Sequence, residues 1–179
     1  MLDDTAYMRE ALRYADVAQQ RGDVPVGALV VQDGRVVGTG FNQRERADDP
    51  TGHAEIVALR EACRAAKRWR LDAATLYVTL EPCPMCAGAI VNARIARLVF
   101  GARDAKAGAV SSLYGICTDV RLNHRLAVRE GVLGSECSRI LSAFFSRVRK
   151  RSKQLSWQQR RAAAGRDRSP ESGEREGAR

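Results

Sequence analysis

Apolar positions recur at helical spacing near the start of the chain. In DDTAYMREALRYADVAQQR, Met8, Leu12, Ala15 and Ala18, with Ala11, fall on one face and predict an amphipathic helix. The period then changes. VPVGALVVQDGRVVGTGFN reads as two apolar strands joined at Asp33-Gly34, a pair that tolerates the positive φ angles of a tight hairpin turn. QRERADDPTG is polar and turn-rich, so it reads as a loop in which Asp49-Pro50 caps and starts the helix that follows. That helix runs from His53 to about Lys67, with Ile56, Leu59, Cys63 and Ala66 on one stripe. ATLYVTL is a short β-branched and aromatic run, read as a buried strand. PCPMCAGAIVNAR predicts a helix opening at Pro84, and RLVFGAR predicts another strand.

Farther along, LYGICTDVRLNHRLAVREGVL holds a short helix and a short strand. SECSRILSAFFSRVRKRS gives a helix with Ile140, Leu141, Phe144, Phe145 and Val148 on its apolar face and basic residues in its last turns, where they suit the helix dipole. Strands alternating with helices imply an α/β sheet with helices on both faces. After Lys153 the chain is rich in Arg, Gln, Ser and Gly, with only Leu155 and Trp157 as sizeable apolar residues, and is expected to be disordered or partly helical. A length of 179 residues suits one domain with a real core better than two. The expected division is a domain over 1–152 and a basic tail over 153–179, with no internal repeats.

Charge sharpens this division. Residues 147–179 hold 11 Lys/Arg against 4 Asp/Glu, so +7 of the chain's net +9 lies there. A polyanionic partner and a merely solvated tail both fit such an excess. The N-terminal stretch carries acids where a secretory signal needs bases and an apolar run, and no segment approaches a membrane span, so a cytoplasmic protein is expected. Five cysteines, odd in number and irregularly spaced, argue against a secreted disulfide framework and leave reduced thiols as ligands.

The chemistry centres on EPCPMC, residues 81–86. Pro82 disfavours α geometry at Glu81 and Pro84 suits a first helical turn, which puts Cys83 at the N-cap and Cys86 one turn on. Near the helix's positive end both thiols are shifted toward the thiolate form that binds metal. The pair alone leaves open a redox dithiol, a closed structural zinc site and a catalytic one. His53-Ala54-Glu55 adds to this. His53 supplies a third ligand at the start of another helix, leaving one tetrahedral zinc position for water, and Glu55 is close enough to move that water's proton without being a ligand.

His53-Ala54-Glu55 together with Pro82-Cys83-Pro84-Met85-Cys86 matches the H-x-E…P-C-x-x-C signature of the zinc-dependent nucleobase deaminases. The wider sequence resembles one branch, the bacterial tRNA-specific adenosine deaminases. The carriers are DVPVGALVV, GTGFN, DPTGHAEIVALR, LDAATLYVTLEPCPMCAGAI, RLVFGARDAKAGA and LNHR, in order over roughly Ala6 to Lys150. The resemblance implies a three-layer α/β/α cytidine deaminase-like fold with a mixed central sheet of about five strands. It also implies a homodimer, one Zn²⁺ per subunit, and hydrolytic deamination of adenosine to inosine at the wobble position of a tRNA anticodon stem-loop, with release of ammonia. Carried over by position, His53, Cys83 and Cys86 are the zinc ligands and Glu55 the proton shuttle. Asn42 contacts the flipped nucleotide. Arg103, Asp104 and Lys106 line the substrate groove, Asn123 and His124 lie near it, and Phe145 sits on the C-terminal helix beside it. Gly52 stands where the family commonly has Ala, and the tail after about Ser152 has no family counterpart.

Two rivals share these motifs. Guanine deaminases carry a close EPCPMC segment and an HAE motif, so the zinc site alone does not separate a free-base enzyme from an RNA enzyme. GARDAKAG, NHR and the basic C-terminal region favour RNA, whose phosphates suit Lys and Arg and whose splayed bases suit a pocket. A catalytically silent RNA-binding subunit is disfavoured by the presence of Glu55.

Overall fold

The computed structural model describes residues 3–166, with side chains described as far as residue 155. Helix α1 (Asp4–Gln20) opens at Asp3, whose carboxylate accepts the Ala6 N–H at 2.8 Å and so satisfies one of the unpaired amides of the first turn. Its buried face is Tyr7, Met8, Ala11, Ala15 and Ala18. Leu12 is only half-buried, because the face is turned toward Tyr7, whose ring meets that of Tyr77 at 5.0 Å between centroids. Strands β1 (Gly27–Gln32) and β2 (Arg35–Phe41) form the expected hairpin, with Asp33 at φ 52° and Gly34 at φ 73° making its two-residue turn.

The segment expected to be all loop contains a four-residue helix, α2 (Arg44–Ala47). Asp49 does not start the next helix. Its carboxylate instead accepts the N–H and hydroxyl of Thr51, closing a local turn. Helix α3 (Ala54–Ala66) begins only after His53 and buries Ala54, Glu55, Ala58, Leu59 and Ala62. Of the expected stripe only Leu59 is fully buried, while Ile56, Cys63 and Ala66 lie at the margin. The reason is the distance of approach. A Cβ on Gly40 would stand 2.1 Å from the Ala54 carbonyl, and one on Gly38 would stand 2.4 Å from that of Ala58, so β2 and α3 meet through backbone, with glycine facing alanine.

Strand β3 (Thr75–Leu80), helix α4 (Pro84–Asn92) and strand β4 (Arg97–Ala102) follow as the pattern predicts. A 3-10 turn (Ile116–Thr118), strand β5 (Ala127–Arg129) and helix α5 (Gly134–Arg166) complete the chain of elements. The sheet order is β2-β1-β3-β4-β5, with β1 antiparallel to both neighbours and β3, β4 and β5 mutually parallel. Alternate sheet residues face opposite layers. Val30, Leu76, Val78, Leu98 and Phe100 pack with α3 and α4, whereas Leu29, Val31, Tyr77 and Val99 pack with α1 and with Cys137 at the start of α5. This is the mixed five-stranded, three-layer α/β architecture implied by the resemblance.

By contacts the chain divides into residues 1–144 and 145–179. Helix α5 begins in the first unit and continues through the second to Arg166, so residues 153–166 of the expected tail are helical, while 167–179 lie outside the described residues. Of the apolar face expected on this helix, Phe145 and Val148 are exposed, and so is Leu155 farther along. Among the described residues no helix is long and apolar enough to cross a membrane.

Candidate active site

Strand direction decides where the chemistry gathers. Since β1 opposes both β2 and β3, and β4 parallels β3, strands β2, β3 and β4 all end at the same edge of the sheet. Asn42 follows β2, Glu81 to Cys83 follow β3, and Arg103 and Asp104 follow β4. Helices α3 and α4 open at that edge. In open α/β sheets this carboxyl edge is where ligands bind.

His53 and Cys83 occupy equivalent places, as the N-cap residues of α3 and α4, and neither spends its side chain on capping. The Nδ1 atom of His53 lies 3.7 Å from Cys83 Sγ and 3.5 Å from Cys86 Sγ, and the three atoms all fall within 4.8 Å of one another. Tetrahedral zinc with ordinary Zn–N and Zn–S bonds sets its nitrogen and sulfur ligands about 3.6 Å apart, so this donor set fits the ion in both type and spacing. The Cys83 thiol is pushed down to about 4, chiefly by its hydrogen bond with Cys86 and also by that with His53. Cys86 is driven the other way by the same contact and by burial, and the hydrogen bond with Cys83 raises His53. Cys83 therefore carries thiolate character opposite an imidazole, the pairing a metal site needs.

Glu55 is 4% exposed on the first turn of α3, and burial raises its carboxyl above the usual range. It stands beside Cys86 and is not one of the three clustered donors. The structure thus brings together the four residues on which the sequence signature rests.

Asn42, 7% exposed, donates from Nδ2 to Asp23 Oδ1 at 2.6 Å. Asp23 also accepts the N–H groups of Val24 and Glu45, both at 2.9 Å, so its carboxylate holds the start of α2 and fixes the Asn42 amide with the nitrogen inward. At the end of β4, Arg103 pairs with Glu130 at 2.5 Å, and Asp104 accepts the Lys106 N–H at 2.9 Å, leaving the Lys106 side chain exposed. Asn123 and His124 are placed elsewhere. Asn123 accepts from Arg94 at 2.9 Å and His124 Nε2 donates to the Ile95 carbonyl at 2.8 Å, just before β4 begins. They therefore belong to the opposite edge of the sheet, roughly 17 Å of strand away. Phe145 lies on α5 in the second unit, 42% exposed.

Two buried acids at the site escaped the sequence reading. Asp23 is 1% exposed and Glu81 is 2% exposed, and both bind mainly main-chain N–H groups, Glu81 those of residues 104 and 110–112. The one available signal was an acid set directly against an apolar strand, in DVPVGALVV and in YVTLEPC.

Comparison with known proteins agrees with the geometry. The family model for MafB19-like deaminases matches residues 2–149. The chain is 46% identical over 153 residues to the tRNA-specific adenosine deaminase of Bacillus subtilis, covering 86% of this chain and 95% of the relative. It is 50% identical over 151 residues to the enzyme of that name from Haemophilus influenzae, covering 84% and 87%. A solved structure from work on A-to-I editing by tRNA:A34 deaminases at the wobble position of transfer RNA superposes with a TM-score of 0.74. It is 46% identical and the match covers 76% of this chain and 99% of that one.

Proposed function

The chain belongs to the MafB19-like deaminases and, within them, to the tRNA-specific adenosine deaminases, and on that premise we propose that it hydrolyses adenosine to inosine at the wobble position of tRNA. The bond broken joins C6 of the purine to its exocyclic nitrogen. Water supplies the new oxygen and ammonia leaves. The observation that carries the deaminase chemistry is the His53, Cys83 and Cys86 triangle with Glu55 buried against it, and the likeness to tRNA-specific adenosine deaminases supports the substrate.

His53, Cys83 and Cys86 would hold one Zn²⁺ per chain. Bound there, the ion lowers the pKa of water toward neutrality and supplies a nucleophile that water alone does not. Glu55 takes the proton of the attacking water and delivers it to the departing amine, which requires a carboxyl beside the metal that is not itself a ligand. Asn42, with its nitrogen committed to Asp23, presents its carbonyl oxygen as an acceptor toward the flipped nucleotide. Arg103, Asp104 and Lys106 line the groove, with the exposed Lys106 ammonium placed for phosphate. Asn123 and His124, anchored at the other sheet edge, act on RNA indirectly by holding the turn between α4 and β4. Phe145 and the basic residues of α5 also contact RNA. The protein works in the cytoplasm as a homodimer.

Guanine deaminases share the zinc-site motifs, so the test presents both substrates. Purified protein is incubated with an anticodon stem-loop carrying adenosine at the wobble position and, separately, with guanine, and products are read by mass spectrometry. The expected result is inosine at that position and no xanthine. Xanthine without inosine would move the chain to the free-base branch.

A further inference from the structure

Glu81 opens the EPCPMC segment but is not part of the metal triangle, and its carboxylate is filled from one loop. One oxygen accepts the N–H groups of Val110, Ser111 and Ser112 at 3.1, 2.8 and 2.9 Å. The other accepts the Asp104 N–H at 3.0 Å and the hydroxyl of Ser112. Five donors on one carboxylate satisfy a buried charge that would otherwise be costly, and they also satisfy a run of loop amides that has no strand to pair with. The fit is close: a Cβ on Gly108 would stand 2.4 Å from Glu81 Cδ, so the loop closes over the carboxylate only with glycine there. The main chain doubles the attachment, the Ala109 N–H donating to the Pro82 carbonyl at 2.8 Å. Arg103, Asp104 and Lys106 lie at the head of this loop, and Cys83 lies two residues past Glu81.

We infer that Glu81 is a positioning residue, a clamp that fixes residues 104–112 against the turn carrying Cys83 and so sets the substrate-facing loop relative to the metal triangle. This rests on the deaminase reading above. Glu81→Gln keeps one acceptor oxygen but turns an NH₂ toward the Asp104 N–H, which loses its acceptor, while the Ser112 hydroxyl turns to accept; one main-chain anchor of the loop is released with His53, Cys83 and Cys86 intact.

The experiment compares wild type, Glu81→Gln, Ser112→Ala and, as a control on stability, Asp4→Asn, whose partners Tyr77, Arg97 and Arg129 are none of the residues of the metal triangle or the 104–112 loop. Zinc content, thermal midpoint, kcat and KM on the stem-loop, and hydrogen exchange of residues 104–112 are measured. Glu81→Gln is expected to keep full zinc, raise KM roughly tenfold with kcat changed less than about threefold, and speed exchange at residues 110–112. Ser112→Ala, which removes one donor and serves if Glu81→Gln does not fold, is expected to raise KM about twofold to fivefold. Asp4→Asn is expected to lower the midpoint with KM unchanged. Wild-type KM and exchange in both loop variants would overturn the inference. Zinc loss in Glu81→Gln would also overturn it, by assigning Glu81 to the metal turn itself. If wild type made no inosine, the deaminase reading would fail, while the exchange data would still decide whether the clamp exists.

Discussion

Burial at 4% exposure beside two sulfurs disfavours a charged carboxylate, and at Glu55 it raises the carboxyl toward its protonated form. In the proposed reaction Glu55 moves the proton, so Glu55→Ala is expected to cut turnover about 10²- to 10⁴-fold while zinc content and RNA affinity stay close to wild type. Metal analysis and a binding titration on the same preparation check this. A second acid, Asp4, ties the start of α1 to the sheet through Tyr77, Arg97 and Arg129. The Arg97 guanidinium holds its carboxyl well below the ordinary value of 3.8, aided by Tyr77 and Arg129. Because the folded-state pKa is depressed, this contribution is complete above pH 3.8 and is lost progressively as pH falls below it toward the folded-state value. Asp4→Asn should cost about 1–3 kcal/mol near neutrality, and the gap from wild type should narrow below that pH in denaturant titrations. The sequence made His53, Glu55, Cys83 and Cys86 legible because their spacing repeats a chemical requirement. Asp23 and Glu81 were not legible, since their partners are main-chain amides about 20 to 30 positions away that carry no residue signature.

Among the elements, α3 shows how a correct helix can hide a wrong face. Ile56, Leu59, Cys63 and Ala66 look like a stripe because large apolar residues dominate a hydrophobic pattern. The face that is used is alanine, and what selects it is the pair of glycines on β2, a contact between segments that a local window does not see. The same limit explains α2, a four-residue helix in a polar stretch, organised by Asp23 from another segment. By contrast the hairpin turn and the α4 start were plain, because Asp33-Gly34 and Pro84 impose backbone geometry locally. The close approach of β2 and α3 also places His53 and Glu55. Gly40→Ala puts a methyl 2.1 Å from the Ala54 carbonyl and must push the start of α3 outward. It should destabilise the fold by about 1–3 kcal/mol and, unlike a remote mutation of equal cost, lower zinc content, as thermal unfolding and metal analysis together would show.

For the whole molecule, three strands running the same way deliver Asn42, the Cys83 turn and the Arg103–Lys106 loop to one edge, and the chain's excess of positive charge lies toward its C-terminus. The central sheet was legible from alternation of elements, but its order, with β1 between β2 and β3, was not, because pairing is non-local. Deleting residues 154–179 removes 6 Arg and 4 Asp/Glu and is expected to weaken stem-loop binding and flatten its salt dependence, by a slope of about 0.7–0.9 per lost phosphate contact, without changing the base deaminated. Binding isotherms at several salt concentrations test this, and an unchanged slope would make the tail a solvated appendage. Everything above turns on hydrolysis at one adenosine by water whose proton Glu55 moves. It is tested most directly by a single-turnover reaction in ¹⁸O-labelled water on the wobble-adenosine stem-loop, with wild type and Glu55→Ala side by side. The expected result is inosine carrying one heavy oxygen at that position, one ammonia released per inosine, and product formation about 10²- to 10⁴-fold slower in the variant. Full activity in Glu55→Ala, or unlabelled inosine, would contradict it.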